Sequence, residues 1–448
     1  MFVDFLIKGF AENIKSKAIA WDNREFDYHW LLDKYKFWKE ELKSSQITSG
    51  TVVILEGDFT PNSVALLLVL IEVGSIIVPI SNSNTPNRDN LIRVAGGEIL
   101  VKIDGNDKVT VSRLPYKSEH RIYQQLRKLH HPGLVLFTSG STGKSKASVH
   151  DVTAILEKFK VRRHSLRTIT FLFFDHIGGI NTLFYVLSNV GLIVTVRERT
   201  PDTILQAVET YKVELLPTSP TFLNLLLLSE SYKRYDISSL KTISYGTEPM
   251  MPSTLDKFTG LFPNIRLLQT YGLSEIGILR SKSKYSNSLW MKIGGEGFET
   301  RVADGMLEVK AKSAMLGYLN AENPFTHDGW FKTNDVVEVD GDYIRIIGRK
   351  SEIINVGGEK VYPQEVDNVI QEMDNVAEAT VYGEANAIVG NIVCVKVRLL
   401  KDEEKQKFAR RLQSHCKEKL KDFQVPVKVT ISDSGHYTER FKKNRKVK

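Results

Sequence analysis

Residues 138–146 read TSGSTGKSK and come directly after the apolar run LVLF at residues 134–137. The run has the length and composition of a buried strand, and glycines in the loop let backbone N–H groups approach a bound anion closely. Hydroxyl side chains and lysines add hydrogen-bond donors and positive charge to the loop, which consists of Thr138, Ser139, Gly140, Ser141, Thr142, Gly143, Lys144, Ser145 and Lys146. This chemistry predicts a site for polyphosphate.

The loop departs from the Walker pattern of P-loop kinases and GTPases. That pattern places a glycine five residues before its Gly–Lys pair, and the corresponding position here is Thr138. The sequence therefore predicts a protein that handles a nucleotide differently from an ordinary P-loop enzyme.

Length and composition are those of a globular protein. The chain has 448 residues, 42% hydrophobic and 25% charged, which predicts two or three domains. Two cysteines, Cys394 and Cys416, cannot form a disulfide framework, so we expect a reducing cytoplasm.

Residues 1–7 are apolar but include Asp4 and no basic leader, unlike a signal peptide. The apolar run at 64–71 is far shorter than the roughly 20 residues that span a bilayer, which predicts a buried helix.

The positive charge lies at the C-terminal end. Residues 401–448 hold 15 lysines and arginines against 7 acidic residues, so this segment carries the whole formal net charge of +8. Such a segment favours an anionic ligand, a carrier protein or a membrane surface, and a solvated basic face is the alternative. Few aromatic residues lie among these lysines, which argues against a nucleic-acid partner.

Between residues 51 and 270, short β-branched runs alternate with helical stretches. Helices are predicted at 152–161, with Asp151 as the N-cap, and at 201–211. Strands are predicted at 52–55, 76–78, 134–137, 168–173 and 192–196. This alternation predicts a layered α/β domain with mainly parallel sheets. Residues 290–347 differ and predict a small antiparallel β unit with Gly and Asp turns.

The pattern changes again after Arg349. The segments predicted to be regular are strands at 353–356, 379–382 and 393–397 and helices at 363–373 and 402–421. They describe a compact α+β module, so we expect an N-terminal domain of residues 1–349 and a small C-terminal domain of residues 350–448.

Three further motifs follow the glycine-rich loop along the chain. They are TYGLSE at 270–275, WFKTND at 330–335 and GRKSE at 348–352. Together the four segments resemble the adenylate-forming superfamily, which includes acyl-CoA synthetases, the adenylation domains of peptide synthetases and beetle luciferases. The resemblance extends from about residue 20 to Arg445, in the family's order. It implies a large N-terminal domain and a mobile C-terminal lid that together convert a carboxylic acid to an acyl-adenylate.

The resemblance implies where the phosphates and the metal bind. Residues 138–146 would hold the β- and γ-phosphates of ATP. Tyr271 would lie against the adenine, next to Gly272 of the same motif. Ser274 takes the place of the usual threonine and keeps a hydroxyl for the α-phosphate. Glu275 would act in catalysis by holding Mg²⁺, a hard cation that prefers carboxylate oxygen.

The same resemblance places the nucleoside. The segment of Gly246, Thr247 and Glu248 resembles the other wall of the adenine pocket, and a plain glycine turn is the alternative. Asp335 would accept hydrogen bonds from both ribose hydroxyls, and Arg349 would contact the same sugar. Asn334 replaces the family's glycine before this aspartate; asparagine is the next-best residue if the site requires a positive φ.

In the C-terminal module, the segment NVGGEKV at 355–361 resembles the loop that faces the pantetheine arm during thioester formation. Gly357 and Gly358 would allow a thin thiol arm to approach closely, and a plain hairpin turn is the alternative. The hinge of the family maps to residues 350–351, where Ser351 departs from the usual Asp or Lys.

The family's adenylation lysine lies in a Thr-x-x-Gly-Lys-x-x-Arg context near the C-terminus. Residues 438–445 read TERFKKNR, which fits this context with Lys442 as the lysine. Phe441 replaces the glycine, and Lys443 remains an alternative.

The acid is expected to bind after the strand at 168–173. His176, in a His-x-Gly-Gly context, resembles the catalytic-site aromatic residue that neighbours the carboxylate in acyl- and aryl-CoA ligases. Asp175 supports a rival interpretation, because amino-acid-activating relatives hold the substrate amine with an aspartate in this region. Polar residues satisfied at a strand end are the alternative for both. An acyl or aryl acid is favoured.

These motifs predict an acid–thiol ligase that forms an acyl-AMP and then a thioester, with ATP, Mg²⁺ and CoA. A small carboxylic acid is the expected partner, without nucleic acid or a transmembrane segment. Two alternatives stay open. One is a stand-alone adenylation enzyme that loads an acyl or amino acid onto a separate phosphopantetheinyl carrier protein. The other is a nucleotide-binding relative without catalysis, against which Glu275, Asp335, Arg349 and Lys442 argue.

Overall fold

The computed structural model describes residues 1–81, 87–139, 145–433 and 435–445. Its α-helices, in chain order, are α1 (Asp4–Glu12), α2 (Tyr28–Ser44), α3 (Pro61–Val73), α4 (Arg88–Ala95), α5 (Arg121–Leu129), α6 (Val152–Leu156), α7 (Ile177–Ser188), α8 (Pro201–Tyr211), α9 (Pro220–Ser229), α10 (Pro252–Leu261), α11 (Pro363–Gln371) and α12 (Lys405–Lys419).

Most of the strands are short. In chain order they are β1 (Lys17–Trp21), β2 (Arg24–Asp27), β3 (Val52–Glu56), β4 (Ile76–Ile80), β5 (Ile99–Ile103), β6 (Val109–Arg113), β7 (Gly133–Ser139), β8 (Ser145–Asp151), β9 (Arg167–Ile169), β10 (Leu192–Val194), β11 (Leu215–Thr218), β12 (Thr242–Tyr245), β13 (Arg266–Gln269), β14 (Gly272–Leu273), β15 (Gly277–Ile278), β16 (Arg280–Ser283), β17 (Met291–Gly294), β18 (Phe298–Ala303), β19 (Met306–Ala311), β20 (Gly317–Tyr318), β21 (Phe331–Asp340), β22 (Tyr343–Arg349), β23 (Ile354–Val356), β24 (Glu359–Val361), β25 (Val376–Asn386), β26 (Gly390–Leu399) and β27 (Lys428–Ile431).

Two seven-stranded sheets form the large domain. The first has the order β13-β12-β11-β9-β10-β1-β2 and the second the order β20-β8-β7-β4-β3-β5-β6. Pairing is parallel in the centre of each sheet, and antiparallel strands such as β2, β6 and β8 stand towards the edges. Every residue of β3 and β4 is buried, as expected for parallel strands covered on both faces. These sheets place the ends of β7, β12 and β13 around one cavity.

Helix α3 is the buried helix predicted from the apolar run at 64–71. Thr60 caps it by accepting a hydrogen bond from the backbone N–H of Ser63, and Gly74 ends it in the left-handed conformation at φ 83°. Its residues 63–71 are all buried, because the helix packs inside the main hydrophobic core. Across the described ranges of the chain, no helix combines the length and apolar character needed to cross a membrane.

The sheets formed after residue 279 are mainly antiparallel. Strands β16, β17, β22, β21, β19 and β18 pair in that order as an antiparallel sheet. Beyond it, β23 to β26 form a second antiparallel set, to which β27 adds in parallel. Helices α11 and α12 pack on this last sheet around their own core. The predicted α/β domain with an antiparallel unit, followed by a smaller α+β domain, is confirmed. The boundary between residues 349 and 350 stays a prediction.

Some predicted elements are shorter in the structure. The helix predicted at 152–161 begins at Asp151 as expected, but its α-helical part ends at Leu156. A 3₁₀ turn at Glu157–Phe159 follows, and it directs Phe159 into the core beside Phe184. The strand predicted at 168–173 ends at Ile169, because the chain then leaves the sheet towards α7. Apolar composition alone did not reveal these turns.

Candidate active site

A cavity of about 1820 Å³ lies between the large domain and residues 436–445, which we call the C-terminal segment. Many of the predicted site residues line it, although they come from distant parts of the chain. They are Thr138, Lys146, His176, Gly246, Thr247, Glu248, Tyr271, Gly272, Ser274, Glu275, Asp335, Arg349 and Lys442. The fold therefore brings most of the sequence motifs to a single site.

Other predicted site residues do not line this cavity or lie outside the described residues. Gly140, Ser141, Thr142, Gly143 and Lys144 lie outside the described residues, and so does the side chain of Ser139. Gly357 and Gly358 form the turn between β23 and β24, with φ values of 58° and 92°. A Cβ added to either would meet nothing within 4 Å, so this turn is open. Its predicted role stays a prediction.

A buried carboxylate holds three of the motifs together. The hydroxyl of Tyr271 donates to Oδ2 of Asp335 at 2.7 Å, and Nε of Arg349 donates to Oδ1 at 3.1 Å. Strand pairing sets Asp335 directly opposite Arg349. Burial raises the pKa of Asp335 above its ordinary value, while the Arg349 charge and the Tyr271 hydrogen bond oppose this shift. Asn334 has φ 59°, the left-handed conformation that glycine or asparagine suits best.

A second chain of contacts joins β8 to the motif at 270–275. The Tyr318 hydroxyl donates to Oε1 of Glu275 at 2.7 Å, and the ammonium of Lys146 lies 5.3 Å from the centre of the Tyr318 ring. Tyr318 escaped the sequence analysis because its motif is unremarkable. Only the pairing of β20 with β8, which places Tyr318 opposite Ser148, brings it to the site.

The segment after β12 forms another wall. A Cβ at Gly246 would lie 2.6 Å from Oγ1 of Thr270 and 2.8 Å from its carbonyl oxygen, so only glycine fits there. Glu248 accepts hydrogen bonds from the backbone N–H and hydroxyl of Thr221 and, at 2.9 Å, from the backbone N–H of Lys443. The carboxylate of Glu248 therefore joins the large domain to the C-terminal segment.

The two candidate lysines have different surroundings. The ammonium of Lys443 pairs with the buried Asp367 at 2.9 Å. Lys442 has no carboxylate within 4.0 Å among the described residues. Burial lowers its pKa to about 8, and the charges of Arg349 and Arg440 add to this effect, whereas Glu248 and Glu275 oppose it. Both lysines line the cavity, and Lys443 is the one whose ammonium is paired with Asp367.

Phe441, which replaces the family's glycine, packs the C-terminal segment against the large domain. Its φ of 52° is the left-handed conformation that glycine would adopt easily. The ring centre lies 5.1 Å from that of Phe171 and 5.5 Å from that of Phe222, both in the large domain. Tyr437 stacks on its other side at 5.9 Å. Aromatic packing therefore offsets the backbone strain, a role that the sequence alone did not indicate.

His176 and Asp175 stand at the start of α7. Nδ1 of His176 accepts the backbone N–H of Gly178 at 3.0 Å, which caps the helix. Burial, together with the nearby Lys442 and Arg440 charges, holds the pKa of His176 well below its ordinary value. Asp175 accepts hydrogen bonds from the Ser81 hydroxyl at 2.8 Å and from Arg440 at 2.6 Å. The Asp175 carboxylate is thus held by the chain's own cation, which weakens the amino-acid interpretation.

Family models match both parts of the chain. The model described as AMP-binding enzyme matches residues 17–294, and the model described as AMP-binding enzyme C-terminal domain matches residues 365–442.

Curated relatives point the same way. An indoleacetate–CoA ligase of Aromatoleum aromaticum is 27% identical over 292 residues, covering 59% of this chain and 57% of its own. A 4-coumarate–CoA ligase-like protein of Arabidopsis thaliana is 27% identical over 310 residues, covering 63% of this chain and 54% of its own. The matched part of this chain thus spans less than two thirds of the length of these relatives.

Solved structures match over nearly the whole chain. The crystal structure of an anthranilate–CoA ligase in complex with anthranoyl-AMP has a TM-score of 0.81 at 19% identity. The match covers 99% of this chain and 95% of that one. At this identity the likeness establishes the fold.

Replacing Phe441 by glycine should loosen the docked C-terminal segment. The change removes about 3 kcal/mol of aromatic packing and relieves about 1 kcal/mol of left-handed strain. Hydrogen exchange of the amides at 436–445 should therefore rise about 30-fold, since each 1.4 kcal/mol corresponds to a factor of ten. Phe441→Leu is the matched control, because it keeps an apolar side chain and should show a smaller rise. Equal exchange in the wild type and Phe441→Gly would contradict the docking role.

Proposed function

The chain belongs to the AMP-binding enzyme family, and we propose that it joins a carboxylic acid to the thiol of CoA through an acyl-AMP. The observation that carries this proposal is the convergence of three groups on one cavity. They are the Asp335 cluster with Tyr271 and Arg349, the Glu275 carboxylate, and the ammonium of Lys442.

The proposed reaction has two steps. In the first, an oxygen of the substrate carboxylate attacks the α-phosphorus of ATP, the bond to the β-phosphate breaks, and pyrophosphate leaves. In the second, the CoA thiol loses its proton and attacks the acyl carbon; the C–O bond breaks, and AMP leaves with the carboxylate oxygen. Both substrates of the first step are anions, so positive charge and precise positioning are what the site must supply.

The nucleotide would bind across the Asp335 cluster. Each carboxylate oxygen accepts more than one hydrogen bond, so Asp335 has capacity for ribose hydroxyls while Tyr271 and Arg349 hold it in place. Gly246 lets the backbone after β12 pack directly against Thr270, and this backbone would form one face of the pocket for a flat base. Tyr271, Gly272, Thr247 and Glu248 would complete the walls around that base.

The phosphates would bind towards Glu275 and Lys146. The carboxylate of Glu275 fits a hard divalent cation, since carboxylate oxygen is the ligand that Mg²⁺ prefers. When bound, Mg²⁺ would neutralise charge on the phosphates. Thr138, Ser139 and Ser274 would add hydroxyl donors there. Residues 140–146, which follow Ser139, would add backbone N–H groups, further hydroxyls and lysine charges.

Lys442 would provide the mobile charge. It belongs to a segment that meets the large domain through Phe441 and Arg440, and its ammonium would lie between the α-phosphate and the attacking carboxylate. His176, kept neutral by its surroundings, would neighbour that carboxylate. We further propose that the C-terminal domain rotates about residues 350–351 after the first step. This rotation would withdraw Lys442 and bring Gly357 and Gly358 to the pantetheine arm.

Removing Lys442 should separate the two half-reactions. With the acid that gives the fastest pyrophosphate release in a carboxylic acid library, Lys442→Ala should slow adenylation by about 10²- to 10³-fold, the usual loss for one electrostatic stabiliser. Thioester formation from supplied acyl-AMP and CoA should stay close to the wild-type rate. Lys443→Met is the matched control, since its ammonium pairs with Asp367, and it should largely keep adenylation.

Three results of that assay would count against the proposal. If Lys442→Ala loses rate equally in adenylation and in thioester formation, Lys442 is not the adenylation lysine. Thioester formation with phosphopantetheinyl carrier proteins but never with CoA would replace the proposed acceptor. Background pyrophosphate release with every acid would favour a relative without catalysis.

Adenylation should also lose rate in mildly alkaline solution. The pKa of Lys442 is lowered to about 8, so the ammonium loses its proton and its charge as the pH rises through this value. The kcat/KM for ATP, measured at low acid concentration, should therefore fall above pH 8, because this parameter reports groups of the unliganded enzyme. Lys442→Arg should remove this fall, since arginine stays charged. If kcat/KM for ATP falls above pH 8 in Lys442→Arg as well, the titrating group is not Lys442.

A further inference from the structure

The cavity continues past the nucleotide motifs along helix α7. The residues of α7 and its C-cap that line it are polar for the most part: Asn181, Thr182, Tyr185, Ser188 and Asn189. Among the described residues, neither the Asn181 amide nor the Tyr185 hydroxyl has a hydrogen-bond partner. A pocket for a purely hydrocarbon chain gains nothing from such groups, because polar groups without partners disfavour an apolar ligand.

Four cations line the same end of the cavity. They form the distal cation cluster, which consists of Lys158, Arg163, Arg266 and Arg280. Arg266 begins β13 and Arg280 begins β16, whereas Lys158 lies in the 3₁₀ turn after α6. Tertiary folding has therefore gathered like charges from separate segments.

The cluster has no acidic partner within the described residues. No carboxylate there lies within 4.0 Å of any of its four side chains, although neighbouring arginines are paired, Arg162 with Glu12 and Arg167 with Glu214. The ammonium of Lys158 donates to the carbonyl oxygen of Ile278 at 3.1 Å. Arg163, Arg266 and Arg280 are exposed and Lys158 is half-buried, so the cluster presents positive charge to the cavity that an anion would neutralise.

The charges of the distal cation cluster act on the titratable groups beside α7. Burial, together with the charges of Arg163 and Arg280, lowers the pKa of Lys158 to about 8. Arg163 and Arg266 likewise act on the Tyr185 hydroxyl, opposing the rise that burial causes in its pKa. Lys158 thus lies in the field of Arg163 and Arg280, and Tyr185 lies in that of Arg163 and Arg266.

We propose that the distal cation cluster binds a second carboxylate at the far end of the substrate, so that the activated acid is a dicarboxylic acid. This inference rests on the proposed function, because it takes the reacting carboxylate to lie beside His176. His176 caps α7 and Tyr185 stands nine residues further along. That separation is about 14 Å along a helix axis. A diacid of matching length would reach both ends.

The test compares pairs of acids. Pyrophosphate release is measured for straight-chain dicarboxylic acids of increasing length, each beside the monocarboxylic acid with the same number of carbons. At the best length, kcat/KM for the diacid should exceed that for its monoacid by at least about tenfold, because hydrogen bonds between charged groups are among the strongest in proteins. The difference should lie mainly in KM, since the second carboxylate takes no part in bond making.

Two variants locate the effect. Arg163→Gln and Lys158→Met should each reduce the diacid preference about tenfold through KM, while kcat with monoacids stays unchanged. Arg162→Gln is the matched control, because Arg162 is the neighbour of Arg163 but pairs with Glu12. It should leave both classes of acid unaffected. Unfolding midpoints equal to the wild type would show that the variants fold, and Arg266→Gln replaces any variant that does not.

Several outcomes would overturn this inference. A wild-type kcat/KM for monoacids that equals or exceeds the kcat/KM for their diacids would overturn the inference but not the proposed function. Equal losses with both classes of acid in Arg163→Gln would show a structural role. An increase confined to the KM for CoA would assign the cluster to the phosphates of CoA instead. Background release with every acid would overturn the proposed function, and this inference with it.

Discussion

The burial of the Asp335 carboxylate is the constraint on which the site depends. A carboxylate removed from water needs donors, and Asp335 receives them from Tyr271 and Arg349. These residues belong to three motifs, and the bonds between them fix the antiparallel sheet against the end of β13. They also fix the end of β22 at Arg349, where the boundary of the C-terminal domain is predicted. The cavity takes its shape from that junction.

The C-terminal segment has two sets of contacts with different consequences for movement. Arg440, Phe441 and the backbone N–H of Lys443 hold it to the large domain through Asp175, an aromatic cluster and Glu248. Lys443 and Arg445 hold it to the C-terminal domain through the buried Asp367. In the proposed rotation the first set would break and the second would persist, so that Lys442 would leave with the C-terminal domain.

Local patterns predicted much of this structure. The apolar runs predicted α3 and the buried parallel strands, and the ordered motifs named many of the residues that line the cavity. Asn334 has a positive φ, the condition under which asparagine was expected to be the next-best residue after glycine. Contacts between distant segments could not be predicted. Tyr318 reaches Glu275 only through the pairing of β20 with β8, and the distal cation cluster forms only when four segments meet. Phe441 looked like a defect in a motif, and its packing partners explain why it fits.

The central claim is that the acid is activated as an acyl-adenylate, and oxygen transfer tests it most directly. The acid would be labelled with ¹⁸O in its carboxylate, allowed to react with ATP and CoA, and the phosphate-containing products analysed by mass spectrometry. An acyl-AMP intermediate predicts one labelled oxygen in AMP and none in pyrophosphate. Label in inorganic phosphate, with ADP as the other product, would require an acyl-phosphate and contradict the account.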